Sequence, residues 1–255
     1  MAKKGVIHDY GKSGSFLAAL SNVKIPVQPD LHDVEQNLNL LEALGISPGQ
    51  APSGLTFRIL REDEAEAAAF MSQHGIGSGE RLLGIHAGAG PLKGKKWPVG
   101  RFVEVSKRLL AGGAFDRVLV FGGEEERKEK ERIANSIGGD RALSVNACLN
   151  VTGAMIRECA FFVCNDSGLM HMAAAVGTEV LGIFGPTNWV RTAPRGSRTH
   201  FLMPEKDRFP CAPCLEYPYG GSSTAFGCND DSRCMESIGV QFVVEYIEGC
   251  LAGRG

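Results

Sequence analysis

The chain lacks any apolar run long enough to cross a bilayer, and no apolar core follows its Met1-Ala2-Lys3-Lys4 opening. The first absence excludes a membrane-spanning helix and the second a secretory signal, so a cytoplasmic protein is expected. No internal repeat, heptad run or low-complexity tract is present, which removes solenoid, coiled-coil and disordered architectures. Positive charge is not in excess either: 27 Lys and Arg stand against 29 Asp and Glu, a formal net charge of −2. Such a balance gives no global attraction to nucleic acid or anionic lipid, so any basic site must be local. Asp166-Ser167-Gly168 lacks the G-x-S-x-G elbow of a serine hydrolase. What remains is ordinary for a globular protein of one or two domains: 255 residues, 44% hydrophobic and 22% charged. The eight cysteines are scattered instead of spaced as a small disulfide framework. In a cytosolic setting they read as free thiols or metal ligands.

Two regimes divide the chain. Residues 1–80 open polar and Gly-rich. Val34, Leu38, Leu41 and Leu44 then recur at helical spacing and stop at Gly45, and a second helix covers Glu62 to His74 before Gly75. This segment is mostly helical and too small for a domain of its own, so it reads as an appendage or connector. Residues 81–255 alternate strands with helices: strands at Leu82 to His86, Arg117 to Phe121, Ala142 to Val145, Phe161 to Val163 and Val180 to Phe184, with helices at Val99 to Leu110, Glu124 to Ile137, Val151 to Cys159 and Leu169 to Val176. The alternation predicts an α/β fold with a doubly wound, mostly parallel, Rossmann-like sheet. Ligands bind such sheets at the carboxyl ends of the strands.

The unusual residues gather at those ends. Phe161 to Gly177 packs a strand, the corner Asn165-Asp166-Ser167-Gly168 and a small-residue helix into one run. Asp166 or Ser167 can cap that helix, and its N–H groups and positive dipole end then face whatever binds above the strand. The corner is either a capped crossover with no ligand or an anion site. His171 favours the second, because one helical turn places its imidazole on the face of Asp166 and Ser167, with Leu169 and Met172 toward the core.

The loop from His86 to Pro98 contains Gly88, Gly90, Gly94 and Lys95-Lys96. Its spacing is wrong for a P-loop, and it lacks the third glycine of a dinucleotide fingerprint. It is a flexible basic loop in which Lys95 either reaches over the strand ends or belongs to a solvated cluster. In Gly122-Gly123-Glu124 the carboxylate either complements a helix dipole or accepts ribose hydroxyls.

The loop 205–234 holds Cys211, Cys214, Cys228 and Cys234. C-x2-C has zinc-knuckle spacing, whereas the second pair, C-x5-C, does not. Four thiolates pinning a structural zinc and reduced thiols in a loop are the two readings. Cys148, Cys159, Cys164 and Cys250 sit among apolar neighbours and read as core fillers.

Lys95-Lys96-Trp97-Pro98, Gly122-Gly123-Glu124, Asn165-Asp166-Ser167-Gly168-Leu169-Met170-His171, Phe184-Gly185-Pro186-Thr187 and Cys234-Met235 together resemble glycosyltransferase family 9, the ADP-heptose:lipopolysaccharide heptosyltransferases. The likeness runs from about Leu82 to the end, and His32-Asp33-Val34-Glu35 through Ile46 resembles the segment joining that family's two halves. The resemblance implies the C-terminal domain of a GT-B architecture, which holds the nucleotide sugar. It implies that Lys95 neutralises the donor diphosphate, that Glu124 holds the ribose, and that Asp166, Ser167, Gly168, His171, Gly185 and Thr187 bind the donor. The implied reaction is inverting transfer of a sugar, heptose by the likeness, from an ADP-sugar to a lipopolysaccharide core acceptor, with no required cofactor. The lipid-linked acceptor implies peripheral contact with the inner face of the cytoplasmic membrane.

The family's acceptor half carries the general base in a Gly-rich loop after its first strand, and the residues ahead of His32 show no such element. Asp9 is not assigned that role. The expectation is a donor half with a connecting segment: a truncated gene, a fragment, or a half-enzyme working with a partner chain. The rivals are a nucleotide-sugar-binding module without catalysis and a zinc-knuckle nucleic-acid binder, the latter opposed by the acidic net charge.

Overall fold

A computed structural model of the chain describes residues 5–9, 21–28, 30–47, 49, 54–90, 94–214 and 233–253. Six parallel strands form the main sheet: β3 (Leu82–His86), β4 (Arg117–Val120), β5 (Ala142–Ser144), β6 (Phe161–Asn165), β7 (Val180–Ile183) and β8 (Thr199–Leu202). Their spatial order is β5-β4-β3-β6-β7-β8, so the order reverses between β3 and β6. A reversal of this kind opens a crevice at the carboxyl ends of the two central strands, because the crossovers on either side run to opposite faces.

Every residue of β3, β6 and β7 is buried, as continuous apolar runs require when helices cover both faces. One face packs on α3 (Val99–Ala111), α4 (Arg127–Ile137) and α9 (Val240–Ala252), with Phe102, Val105, Leu109, Ile133, Val243 and Ile247 inward. The other packs on α2 (Arg61–Gln73), α5 (Leu149–Glu158) and α6 (Gly168–Ala175) through Ala67, Val151, Met155, Met170 and Ala173. Two short helices complete the set, α7 (Trp189–Thr192) and α8 (Arg233–Ser237). Among the described residues no helix is long and apolar enough to cross a membrane.

The N-terminal stretch differs from the expectation of helices behind an irregular leader. Besides α1 (Asp33–Glu42) and α2, it holds β1 (Val6–Asp9) and β2 (Val23–Pro26), paired in parallel with Val6 opposite Val23 and His8 opposite Ile25. Each strand offers only two β-branched residues, too short a run to announce itself beside glycines and lysines.

The connector is tied to the main sheet by charge. Arg191, almost fully buried, meets Asp33 Oδ1 at 2.5 Å, and Arg195 meets Glu35 at 2.5 Å. His32 Nε2–H donates to the Ala193 carbonyl at 2.9 Å, and its Nδ1 accepts from the Val34 N–H at 3.2 Å.

Candidate functional site

The corner after β6 is built from the amide outward. Asn165 has no exposed surface; its Nδ2 donates to the carbonyls of Ala87 (2.7 Å) and Gly88 (3.3 Å), and its Oδ1 accepts from the Trp97 N–H at 2.9 Å. One side chain therefore clamps both ends of the basic loop to the strand beside it. The clamp aims Lys95, whose Nζ lies 2.7 Å from Asp166 Oδ2, both side chains nearly buried. His171 sits one turn along α6. Burial pushes its imidazole below its ordinary value, against the pull of Asp166 and with added push from His32 and Lys95. Lys95, Asp166 and His171 are thus brought together, and neutral imidazole is the form present at pH 7.

Ser167 occupies the N-cap position of α6, yet it caps nothing with its side chain. Its hydroxyl turns instead to His86 Nδ1 at 3.0 Å. The first N–H groups of α6 are left without a capping side chain, and the dipole end is open to an anion. His86 Nε2 lies 3.1 Å from Glu126 Oε2, so this imidazole spans the crevice from β6 to the turn after β4. Glu126 also accepts from the Gly123 N–H at 2.9 Å. The His86 contact holds its carboxyl below the usual range, with the Gly123 bond helping, so it remains ionised near neutral pH.

Beside His86, Glu126 and Ser167 lies a cleft of about 500 Å³, lined also by Gly122, Glu125 and Gly168 among others, with Lys95, Asp166 and His171 next to it and not in its lining. Leu169 and Met172 also line it while packing against the core as expected, beside the fully buried Met170 and Ala173. Gly88 has no room for a side chain because the Glu126 carboxylate occupies that space. Lys130, buried, reaches over the ends of β4 and β5 to the carbonyls of Gly122 (2.9 Å) and Val145 (2.6 Å), fixing the turn that carries Glu126.

Glu124 stands apart from these groups. It does not line the cleft; its exposed carboxylate pairs with Arg127 at 2.6 Å. A 3-10 turn at Glu124–Glu126 precedes α4, and it rotates the third glutamate, not the first, toward the strand ends. Gly185 is also outside the lining: a Cβ there would meet Met235 and come within 3.2 Å of the Gly94 carbonyl. It supports the Lys95 loop from below. Thr187 Oγ1 is buried and has no hydrogen-bond partner among the described residues. His86, Glu126 and Asn165 were not singled out as site residues from the sequence. The available signal was position, each falling at or just past a strand's carboxyl end.

The cysteine readings divide. Cys228 lies outside the described residues, and Cys211, Cys214 and Cys234 do not appear among the described metal-ligating clusters of three. Cys159 and Cys164 are buried as expected, and burial pushes both thiols up. Cys148 is exposed and so is not a core filler, whereas Cys250 is half-buried and packs against the core.

Acid should destabilise the fold in two steps. Burial, the largest influence on each, lowers His32 and His171, so the unfolded chain takes up protons first as pH falls below about 6.5. Stability therefore declines through that window and is level above it. Glu35 and Glu126 are lowered by Arg195 and His86, so their contribution is present above the ordinary carboxylate value and lost as pH falls through their lowered ones. Urea midpoints measured from pH 8 to pH 4 should fall twice, and His32→Asn with His171→Asn should shrink the first fall to the share left by His200, whose pKa burial also lowers.

The profile of glycosyltransferase family 9 (heptosyltransferase) matches residues 1–219. Lipopolysaccharide heptosyltransferase 2 of Salmonella typhimurium is 28% identical over 156 residues, 59% of this chain and 44% of that protein. Lipopolysaccharide heptosyltransferase 1 of Pseudomonas aeruginosa is 35% identical over 127 residues, 48% of this chain and 33% of that protein. The matched part thus spans less than half the length of these curated relatives. Among solved structures, E. coli ADP-heptose lps heptosyltransferase II superposes with a TM-score of 0.69 at 18% identity, covering 93% of this chain and 68% of that one. A glycosyl transferase family 9 structure from Veillonella parvula gives a TM-score of 0.71 at 21% identity, covering 93% of this chain and 65% of that one.

Proposed function

The chain belongs to glycosyltransferase family 9, and on that premise we propose that it holds the ADP end of a nucleotide sugar, most simply ADP-heptose, for transfer to a lipopolysaccharide core acceptor. The observation carrying the reading is the Lys95 ammonium against Asp166 at the uncapped start of α6, where the strand order reverses. As the bond from anomeric carbon to diphosphate oxygen breaks, negative charge grows on the leaving diphosphate. A fixed ammonium and helix N–H groups stabilise that charge more in the transition state than in the ground state, without a metal. Attack by the acceptor hydroxyl from the opposite face inverts the anomeric centre, the hydroxyl proton passing to water as the new bond forms and the diphosphate leaves. Asp166 accepts sugar hydroxyls once Lys95 turns to phosphate, and Gly168 admits the diphosphate close to the backbone. Neutral His171 donates to the donor from the same side, and Thr187 Oγ1 is available to a donor hydroxyl. The ribose lies in the cleft beside Glu126 and Glu125, with Leu169 and Met172 under the base. The work is cytoplasmic, at the membrane face where a lipid-linked saccharide presents its sugars.

Calorimetry with ADP tests the binding half. Saturable binding is expected, and its absence would remove the proposal. Glu126→Gln should lower ADP affinity about tenfold, because a carboxylate hydrogen bond is weakened, whereas Glu124→Gln should leave it unchanged. The reverse result would restore the ribose to Glu124. Acceptor-dependent release of ADP from ADP-heptose separates a transferase from a nucleotide-sugar-binding module or a half-enzyme that needs a partner chain.

A further inference from the structure

At the opposite end of the sheet from the cleft, three ligand-bearing side chains from distant parts of the chain converge. Glu179 immediately precedes β7, His200 is the second residue of β8, and Cys250 lies in the last turn of α9. Their ligating atoms all fall within 4.8 Å of one another. His200 Nε2 is 3.2 Å from Glu179 Oε1 and 3.8 Å from Cys250 Sγ. Tetrahedral zinc with its usual bond lengths sets nitrogen and oxygen ligands about 3.3 Å apart, and nitrogen and sulfur about 3.6 Å apart. These two edges need shifts of only a few tenths of an ångström to match, and the third, from Glu179 to Cys250, lies within 4.8 Å.

The surroundings orient these groups. His200 Nδ1 meets the Tyr246 hydroxyl at 3.2 Å, the outer contact that fixes an imidazole's tautomer and turns Nε2 to a metal. The ring lies near-parallel to Phe161 and edge-on to Tyr246, at centroid distances of 6.4 and 5.6 Å. Arg198 approaches the other oxygen of Glu179 at 3.4 Å and leaves Oε1 toward the cluster.

Hydrogen bonding alone serves this arrangement poorly. Nε2 faces a thiol and a carboxylate at once: protonated, it can donate well to only one of them, and unprotonated it meets the carboxylate's lone pairs. A cation satisfies both.

We propose that Glu179, His200 and Cys250 form a zinc site that ties α9 to the sheet edge at β7 and β8. Zinc replaces the Cys250 thiol proton, which is released to solvent. Thiolate and carboxylate then balance the 2+ charge, and water takes the fourth position. The site is separate from the cysteines of the loop 205–234 and from the donor cleft, and nothing in the transfer reaction calls on it.

The test uses the full chain stripped of metal, carrying Cys211→Ser, Cys214→Ser and Cys228→Ser to silence the loop, with Co²⁺ as the spectroscopic probe. One equivalent should bind, with the near-ultraviolet thiolate-to-cobalt band and the visible bands of a tetrahedral site, and one equivalent of Zn²⁺ should displace it. Cys250→Ser should abolish the thiolate band, and His200→Gln should weaken binding at least tenfold. Zn²⁺ should raise the thermal midpoint of the parent but not of Cys250→Ser. Equal metal-free midpoints for the two would show that the variant folds; should Cys250→Ser unfold, His200→Gln decides by the same band and affinity. Absence of the thiolate band, or a band unchanged by both substitutions, overturns the site.

Discussion

Lys95→Met is expected to weaken ADP binding about 10- to 100-fold, the range for losing a charge-assisted hydrogen bond. Two effects add. The diphosphate loses an ammonium, and Asp166, nearly buried and 2.7 Å away in the parent, is left as an uncompensated carboxylate facing it. The second effect gives the test its sign. Asp166→Asn in the Lys95→Met background should recover part of the lost affinity by removing the repulsion. Asp166→Asn alone should bind ADP at least as well as the parent, since it frees Lys95 from its carboxylate, while binding of the complete nucleotide sugar weakens. The four calorimetric affinities form a double-mutant cycle with a coupling well outside error. Additive losses would mean that Lys95 and Asp166 do not share a ligand. A parent-like affinity in Lys95→Met would take the diphosphate away from this corner altogether. Stability should change in the same sense: Lys95→Met lowers it by about 1–3 kcal/mol through the unpaired carboxylate, and the second substitution restores most of that.

The parts of this site legible in the sequence were those where local chemistry and long-range placement agree. A run such as Leu82 to His86 is buried on both faces and has few conformations open to it, so its span was readable to the residue. Asp166 and His171 could be placed relative to each other because one helical turn separates them. Lys95 required a longer step, since a loop of glycines and lysines does not say where it points. The buried Asn165 amide, which settles the matter, works across 68 residues of chain to Trp97. Glu126 was missed for a shorter-range reason: three glutamates in a row are indistinguishable until a 3-10 turn decides which one faces inward. β8 was missed because an edge strand beginning Thr-His carries little apolar signal, and its Cys250 and Glu179 neighbours come from elements that sequence proximity cannot join.

Trp97→Ala should destabilise the fold by about 3–5 kcal/mol, the cost of truncating a large aromatic in a packed interior. The indole has no exposed surface and meets Phe102 edge-on at 5.0 Å. Its Nε1–H donates to the Ile238 carbonyl at 3.0 Å, which joins the loop over the sheet to the turn between α8 and α9. Only its backbone N–H, held by Asn165, survives the substitution. Trp97→Phe separates packing from hydrogen bonding: it keeps a ring against Phe102 and should lose only about 1–2 kcal/mol, from the lost indole hydrogen bond and the smaller volume, while the Ile238 carbonyl keeps its bond from Arg101 Nη1 at 2.7 Å. The consequence reaches the site, because Trp97 stands two residues after Lys95 and anchors the short span that aims the ammonium. In urea unfolding the midpoint should drop sharply for alanine with an unchanged slope, and at low urea the folded fraction should bind ADP more weakly than Trp97→Phe does. A loss below about 1 kcal/mol for alanine would show that the surroundings collapse into the space. In that case Asn165 alone, through its three contacts to the loop, would be what keeps Lys95 over the strand ends.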